Sequence, residues 1–306
     1  MEKVIVIVGP TSVGKTKLGV ELAKEFNGEV ISGDSMQVYR TMDIGTAKVT
    51  KEEAQGIVHY LIDIKDPKES YSVKEFQEQV RFYIQDITSR GKLPIIVGGT
   101  GLYIKAALYD YTFEESETDH EAYTKKFEEY SNEQLHQYLQ TIDENSAKEL
   151  HPNNRRRIVR AIEIFETTGI TKSENHEKQE HVCLYNALFI GLTLPRDVLY
   201  QRIDQRVHVM MENGLEKEVE QLIDAGMQRE DQSMKGIGYK EWFDYIEDKQ
   251  SLEQTVSLIQ QHSRNLAKRQ YTWFKNQFEM YWITICIENF EQTIKEAKQY
   301  IIKEQS

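Results

Sequence analysis

The octapeptide Gly9-Pro10-Thr11-Ser12-Val13-Gly14-Lys15-Thr16 constrains this chain more than any other stretch. It fits G-x-x-x-x-G-K-[ST] in full, between an apolar, β-branched run at 4–8 and a helical stretch at 14–26. Small residues let successive N–H groups turn inward on an anion. The helix that follows aims its positive end at the same point. Lys15 then supplies a mobile charge for the outer phosphate, and the Thr16 hydroxyl is a candidate Mg²⁺ ligand. A chance glycine-rich turn is the alternative; the coincidence of pattern, strand and helix argues against it. The loop specifies a di- or triphosphate and leaves open what is transferred.

The remaining pattern extends the same architecture. Residues 29–32 read as a second strand, 58–64 as a third ended by Asp66-Pro67, and 93–97 as a buried strand closed by Gly98-Gly99. Residues 73–90 have helical apolar spacing at Val73, Phe76, Val80, Tyr83, Ile84 and Ile87. Strands alternating with helices predict an α/β fold with a parallel sheet and helices on both faces. That regularity stops near Asp110. Of a net charge of -12, a net of -8 falls within 113–149, which holds eleven acids and three lysines. Helical stripes there are Tyr123, Phe127 and Tyr130, then Leu135, Tyr138 and Leu139. A strong helix follows at 153–168, stopped by Gly169, then a polar stretch at 171–181 and a returning strand at 184–194. The expected organisation is a phosphate-loop core of 1–112 and 181–306, with a helical insertion at 113–180. The C-terminal third reads as helical, with 197–212, 215–225 and 255–277 its clearest pieces.

Composition removes several classes. Two cysteines, Cys183 and Cys286, exclude a disulfide framework and a zinc site built on several cysteines; a reducing cytoplasm suits them. No apolar run approaches the ~20 residues of a membrane helix, and the N-terminus reads as a strand rather than a signal peptide. The absence of a sustained heptad pattern points to a monomer, and no obligate protein partner is implied. The acidic balance argues against indiscriminate nucleic-acid binding.

Three further stretches carry candidate chemistry. Asp34 lies just past a core strand, where ligands bind in open parallel sheets. It is either a general base or indirect Mg²⁺ partner, or a loop Asp capping a turn. Asp63 also ends an apolar run, a weak Walker-B-like signal. Thr100, after Gly98-Gly99, is either a site hydroxyl or an ordinary helix N-cap. Residues 254–278 contain no acid. Projected as a helix, they align Arg264, Lys268 and Lys275, with Arg269 nearer the apolar side; this is a phosphate-contacting face or a solvated one. Arg155, Arg156, Arg157 and Arg160 form a second basic cluster of the same ambiguity. Arg196 and Arg202 either clamp a diphosphate or pair with the many acids.

Together these motifs resemble the tRNA dimethylallyltransferase (tRNA isopentenyltransferase) family, in its bacterial type. The matching stretches are GPTSVGKT at 9–16, ISGDSMQVYRTMDIGTAK at 31–48, LPIIVGGTGLY at 93–103, HPNNRRRIVRAIEI at 151–164, KGIGYKE at 235–241 and AKRQYTWF at 267–274. They span nearly the whole chain in family order. The resemblance implies transfer of a dimethylallyl group from dimethylallyl diphosphate to N6 of the adenosine 3′ of the anticodon, in tRNAs reading codons that begin with U. The loop would then hold diphosphate rather than ATP, with Mg²⁺, Lys15 and Arg202 stabilising it and Arg196 nearby. Asp34 would be the general base. Asp34, Ser35, Met36 and Gln37 would contact the target nucleotide, with Thr100 at the reaction centre. Arg156, Arg157 and Arg160, and Lys235, Gly236, Gly238, Tyr239 and Lys240, would touch the anticodon stem-loop; Arg264 and Lys268 would add phosphate contacts. One departure stands out: the family commonly has an Arg about four residues after the Asp of the insertion's first helix. Counting from Asp119, this chain has Tyr123, which would have to substitute by stacking. The zinc finger of some eukaryotic relatives is absent, in keeping with the cysteine count.

Two other readings compete. A small-molecule phosphotransferase would use the same loop and bind ATP tightly. A tRNA-binding module without chemistry would keep binding when Asp34 is removed.

Overall fold

The computed structural model describes residues 1–113, 123, 125–174 and 182–305. Asp119 and part of the polar stretch at 171–181 lie outside the described residues. The chain divides into two units, one of Met1–Tyr109 with Cys183–Ser306, the other of Asp110–Val182.

The first unit is built on a parallel sheet of β1 (Lys3–Val8), β2 (Gly28–Gly33), β3 (His59–Tyr60), β4 (Leu93–Gly98), β5 (Asn186–Thr193) and β6 (Tyr281–Thr284). The strand order is β3-β2-β4-β1-β5-β6. Its early helices are α1 (Lys15–Glu25), α2 (Lys51–Ala54), α3 (Val73–Ser89) and α4 (Gly101–Leu108). In the second unit lie α5 (Asn132–Ile142), α6 (Glu144–Glu149) and α7 (Arg155–Thr168). The first unit then resumes with α8 (Arg196–Glu212), α9 (Leu215–Asp224), α10 (Trp242–Ile246), α11 (Leu252–Gln277) and α12 (Phe290–Gln305).

The unbroken apolar character of β1 follows from burial on both faces. Val4, Val6 and Val8 point into a cluster with Phe76, Val80, Ile84 and Trp242. Ile5 and Ile7 alternate into the opposite cluster, with Leu18 and Leu22 of α1 and Ile294 and Ile301 of α12. Helices therefore cover both faces, as the alternation of elements requires. Capping boxes start α3 at Ser72/Glu75 and α11 at Ser251/Gln254.

Two elements differ from expectation. The strand expected at 58–64 is only His59–Tyr60, because Leu61 (φ 62°) and Asp63 (φ 57°) take left-handed backbone and turn the chain. The C-terminal third is not all helix. Tyr281–Thr284 adds a strand beside β5, in register Ile190↔Tyr281 to Thr193↔Thr284.

In the second unit, α5 and α7 bury Leu135, Leu139, Ile158 and Ile162 around Phe127. Arg155 donates to the carbonyls of Phe127 and Tyr130, so it closes the unit's own turn.

The register positions the site. Val8 pairs with Gly98, and Gly98 with Gly33. The turns that begin at Gly9, Gly99 and Asp34 thus leave one carboxyl edge from three adjacent strands, spaced about 4.8 Å apart.

Candidate active site at the carboxyl edge

The phosphate loop wraps the start of α1. Gly14 is its N-cap in left-handed backbone (φ 82°), and no side chain caps the helix. The first amides of α1 are therefore left to an outside acceptor. Lys15 Nζ donates to the Pro10 carbonyl at 2.7 Å. Desolvation, then the neighbouring Arg206 guanidinium, pulls the Lys15 ammonium down to about 7, with Asp34 acting the other way. Arg202 Nε donates to the Ser12 carbonyl at 3.0 Å, and Arg206 Nη1 to Thr11 Oγ1 at 3.3 Å. Burial lowers Arg206 as well, opposed by Asp34. The buried Ser12 hydroxyl has no partner among the described residues. Three cations thus converge on one glycine-rich loop, an arrangement that suits a polyanion and destabilises the empty site.

The second wall is the turn after β2. Asp34 Oδ1 accepts from the Met36 amide at 2.8 Å, so it does cap a turn. It also lies within electrostatic reach of Lys15 and Arg206. Thr100 stands at the N-cap of α4 without capping it. Its Oγ1 accepts instead from the Ser35 amide at 3.1 Å, which joins the ends of β2 and β4. Gln37 accepts from the Ser32 hydroxyl and donates to the Thr46 and Ala47 carbonyls, so it folds the loop back on itself.

That loop is pinned by a residue the sequence reading missed. Glu218 of α9 accepts from the amides of Asp43 (2.9 Å), Ile44 (2.8 Å) and Gly45 (3.1 Å), and from the Tyr239 hydroxyl (2.7 Å). Tyr239 was expected to touch RNA, but it has no exposed surface; its ring fills the core and its hydroxyl serves Glu218. Gly238 is buried too. Gly236 makes room for Met36, whose Cε lies 2.6 Å from where a Cβ would stand. Lys235 and Lys240 are exposed. The KGIGYKE stretch therefore seats the 34–48 loop and shows only its lysines.

The other expected residues are exposed or hold partners of their own. Arg196 is exposed, over the Tyr200 ring at 5.1 Å. Asp63 is paired with Lys48 at 2.6 Å, so its carboxylate serves a loop ion pair. Arg264 pairs with Asp204 of α8. Lys268 and Lys275 are exposed, and so is Arg269, which had been expected nearer the apolar side. In the second unit, Arg156 and Arg157 are exposed in the first turn of α7, and Arg160 pairs with Glu163 at 2.6 Å. Tyr123 packs on Phe127, under Lys126, and bonds Glu166.

Arg206 and Gln270 were also missed. Arg206 had a signal, since i,i+4 spacing places it on the face of Arg202. Gln270 had none beyond its motif.

Thr16, half-buried in the first turn of α1, offers a hydroxyl of the right chemistry for Mg²⁺. Among the described residues no group of three or more His, Cys, Asp or Glu could hold a metal. A hydroxyl, diphosphate oxygens and water form a donor set that fits Mg²⁺, which keeps several waters.

The family model for IPP transferase matches residues 37–277. The chain belongs to this family. Among curated relatives, the tRNA dimethylallyltransferase of Bacillus cytotoxicus is 55% identical over 288 residues, covering 93% of this chain and 90% of its own. The crystal structure of the full-length tRNA isopentenylpyrophosphate transferase from Bacillus halodurans superposes with a TM-score of 0.77 at 45% identity, covering 99% of this IPP transferase family member and 97% of that chain. A eukaryotic dimethylallyltransferase acting on tRNA gives 0.84 at 32% identity, covering 99% and 78%.

Proposed function

We propose that the chain is a tRNA dimethylallyltransferase. It would move a dimethylallyl group from dimethylallyl diphosphate to N6 of the adenosine 3′ of the anticodon, in tRNAs reading codons that begin with U, and release diphosphate. The observation that carries this reading is the shared carboxyl edge. A cationic phosphate loop and a carboxylate–hydroxyl pair, Asp34 and Thr100, leave adjacent strands there.

Ionising an allylic C–O bond leaves negative charge on the departing diphosphate. Loop amides, Lys15, Arg202 and Arg206 meet that charge in a desolvated setting, where fixed donors act most strongly. Mg²⁺, held by Thr16, would supply further charge neutralisation when bound. The exocyclic amine is a weak nucleophile, because its lone pair is conjugated with the ring. Asp34 accepts its proton as the N–C bond forms. One Asp34 oxygen is held by the Met36 amide, which orients the other toward substrate. Thr100 sits at the reaction centre, near the leaving oxygen or the base. The adenine must leave the loop stack to reach this edge, at a cost partly offset by stacking and edge contacts.

For RNA, we assign Ser35, Met36 and Gln37 to the target nucleotide. Lys235, Lys240, Lys268, Arg156 and Arg157 are assigned to backbone phosphates. The first turn of α7 carries no acid, so its positive end and its arginines reinforce each other toward an anion. The reading needs no protein partner, and a cytoplasmic location follows from the substrate. No described helix is long and apolar enough to cross a membrane.

The test mixes the protein, Mg²⁺, radiolabelled dimethylallyl diphosphate and an anticodon stem-loop. Label should enter the RNA and be lost when the adenosine 3′ of the anticodon is changed. Asp34→Ala should bind RNA normally and lose roughly 10²–10⁴ in rate. No label from folded wild type, with ATP bound more tightly than dimethylallyl diphosphate, would turn the assignment to a phosphotransferase.

A further inference from the structure

The two walls of the site are backbone turns, and strand pairing holds them together only as far as Val8 and Gly98. Beyond that point the ladder ends, and nothing in the sheet sets the distance between the phosphate loop and the turn that carries Thr100. Gln270 spans the gap. Gln270 Oε1 accepts from the Thr11 amide at 3.1 Å, and its Nε2 donates to the Gly99 carbonyl at 3.0 Å. A single primary amide thus replaces the donor and the acceptor that the next ladder step would have supplied. A primary amide carries both on one planar group at every pH of interest.

The support behind Gln270 is rigid. It projects from α11, whose Ala267 and Phe274 are fully buried on either side of it. One turn on, Trp273 packs on Gly101, with ring atoms 2.1 Å from where a Cβ would stand. A further turn on, Lys105 of α4 donates to Gln277 at 2.7 Å. So α11 follows the Gly99 turn and α4 through three successive contacts. Gly99 itself belongs to this fit. Its backbone is not left-handed, so alanine is conformationally acceptable, yet an added Cβ would lie 2.4 Å from Gln270 Nε2.

We propose that Gln270 is a positioning residue that sets the spacing between the leaving diphosphate and the acceptor side at Thr100 and Asp34. This rests on the transferase reading above. Bond formation between an allylic carbon and N6 demands that both partners be held in line. A misplacement of about 1 Å costs on the order of 10² in rate. The inference therefore separates rate from binding.

The experiment uses the full chain and single-turnover prenyl transfer, with equilibrium binding of inorganic pyrophosphate and of the stem-loop. Gln270→Met keeps similar volume and removes both hydrogen bonds. It should slow transfer about 10–100-fold while changing either affinity less than about threefold. Gly99→Ala should slow transfer comparably. In a Gln270→Ala background the same substitution has room, so the double variant should be no slower than Gln270→Ala alone. Three results would overturn the proposal: an unchanged rate for Gln270→Met, penalties of Gly99→Ala and Gln270→Ala that multiply, or tighter pyrophosphate binding by Gln270→Met at unchanged rate. The last would make the amide a mere stand-in for a phosphate oxygen. If Gln270→Met does not fold, the alanine cycle alone decides. An active wild type with unaffected variants sinks only this inference; an inactive wild type sinks the transferase reading and takes this inference with it.

Discussion

At the residue scale, Lys15 is the most exposed to experiment. Its ammonium sits near 7 because burial and Arg206 disfavour the charge. A bound diphosphate reverses that balance and raises the value. The folded, empty state therefore binds fewer protons than the liganded one above pH 7. Pyrophosphate binding should take up a proton between about pH 7 and 9. Affinity should be fullest below 7 and weaken as pH rises through the liganded value. Calorimetry in buffers of different ionisation enthalpy reads this directly; binding without proton uptake at pH 8 would mean that Lys15 is already charged in the empty loop. The same local view explains why Asp34 was ambiguous from sequence. It caps a turn and faces the loop cations at once, and the two roles share one side chain.

At the scale of elements, the edge of the sheet depends on Glu29. This carboxylate on β2 is almost fully buried. It accepts two bonds from Arg90 at the end of α3, one from Lys92 and one from the Tyr60 hydroxyl of β3. The Arg90 hydrogen bonds chiefly hold its pKa down at about 2. A depressed carboxylate contributes stability above its unfolded value near 4.5, and loses it as pH falls toward 2. Glu29→Gln should cost roughly 1–3 kcal/mol at pH 7, discounted because Arg90 and Lys92 are partly exposed. Urea unfolding should show the gap from wild type narrowing steadily as pH falls from about 4.5 toward 2; a gap independent of pH would point to lost packing instead. Two elements were hard to read in sequence because they are short. The strand Tyr281–Thr284 exists because β5 offers it an edge, and β3 stops early because Leu61 and Asp63 turn.

At the scale of the whole molecule, the transferase reading requires an acidic chain to hold an anionic RNA. The charge is segregated, with exposed cations at Arg156, Arg157, Lys235, Lys240 and Lys268. Arg156→Ala with Arg157→Ala should weaken stem-loop binding and reduce the slope of log affinity against log salt by about 1–2. The rate at saturating RNA should hold. An unchanged slope would return these arginines to a solvated helix face.

Sequence alone determined whatever depends on neighbours in the chain. The phosphate loop, the apolar strands, the helices with capping boxes, and Asp34 and Thr100 at strand ends are local patterns, written within a few residues. Tertiary structure decided which distant side chains close the site. Arg206, Gln270 and Glu218 lie in helices far along the chain, and beyond the i,i+4 spacing of Arg206 to Arg202 and the motif around Gln270, nothing in their own surroundings ties them to the site. They matter because α8, α11 and α9 pack so that a guanidinium meets the Thr11 hydroxyl of the 9–16 loop, while an amide and a carboxylate meet backbone groups of the 99–101 and 34–48 turns. Likewise the same packing buried Tyr239 and gave its hydroxyl to Glu218. Sheet order is set by which apolar faces can be buried together, a property of the assembled layers that no single stretch carries.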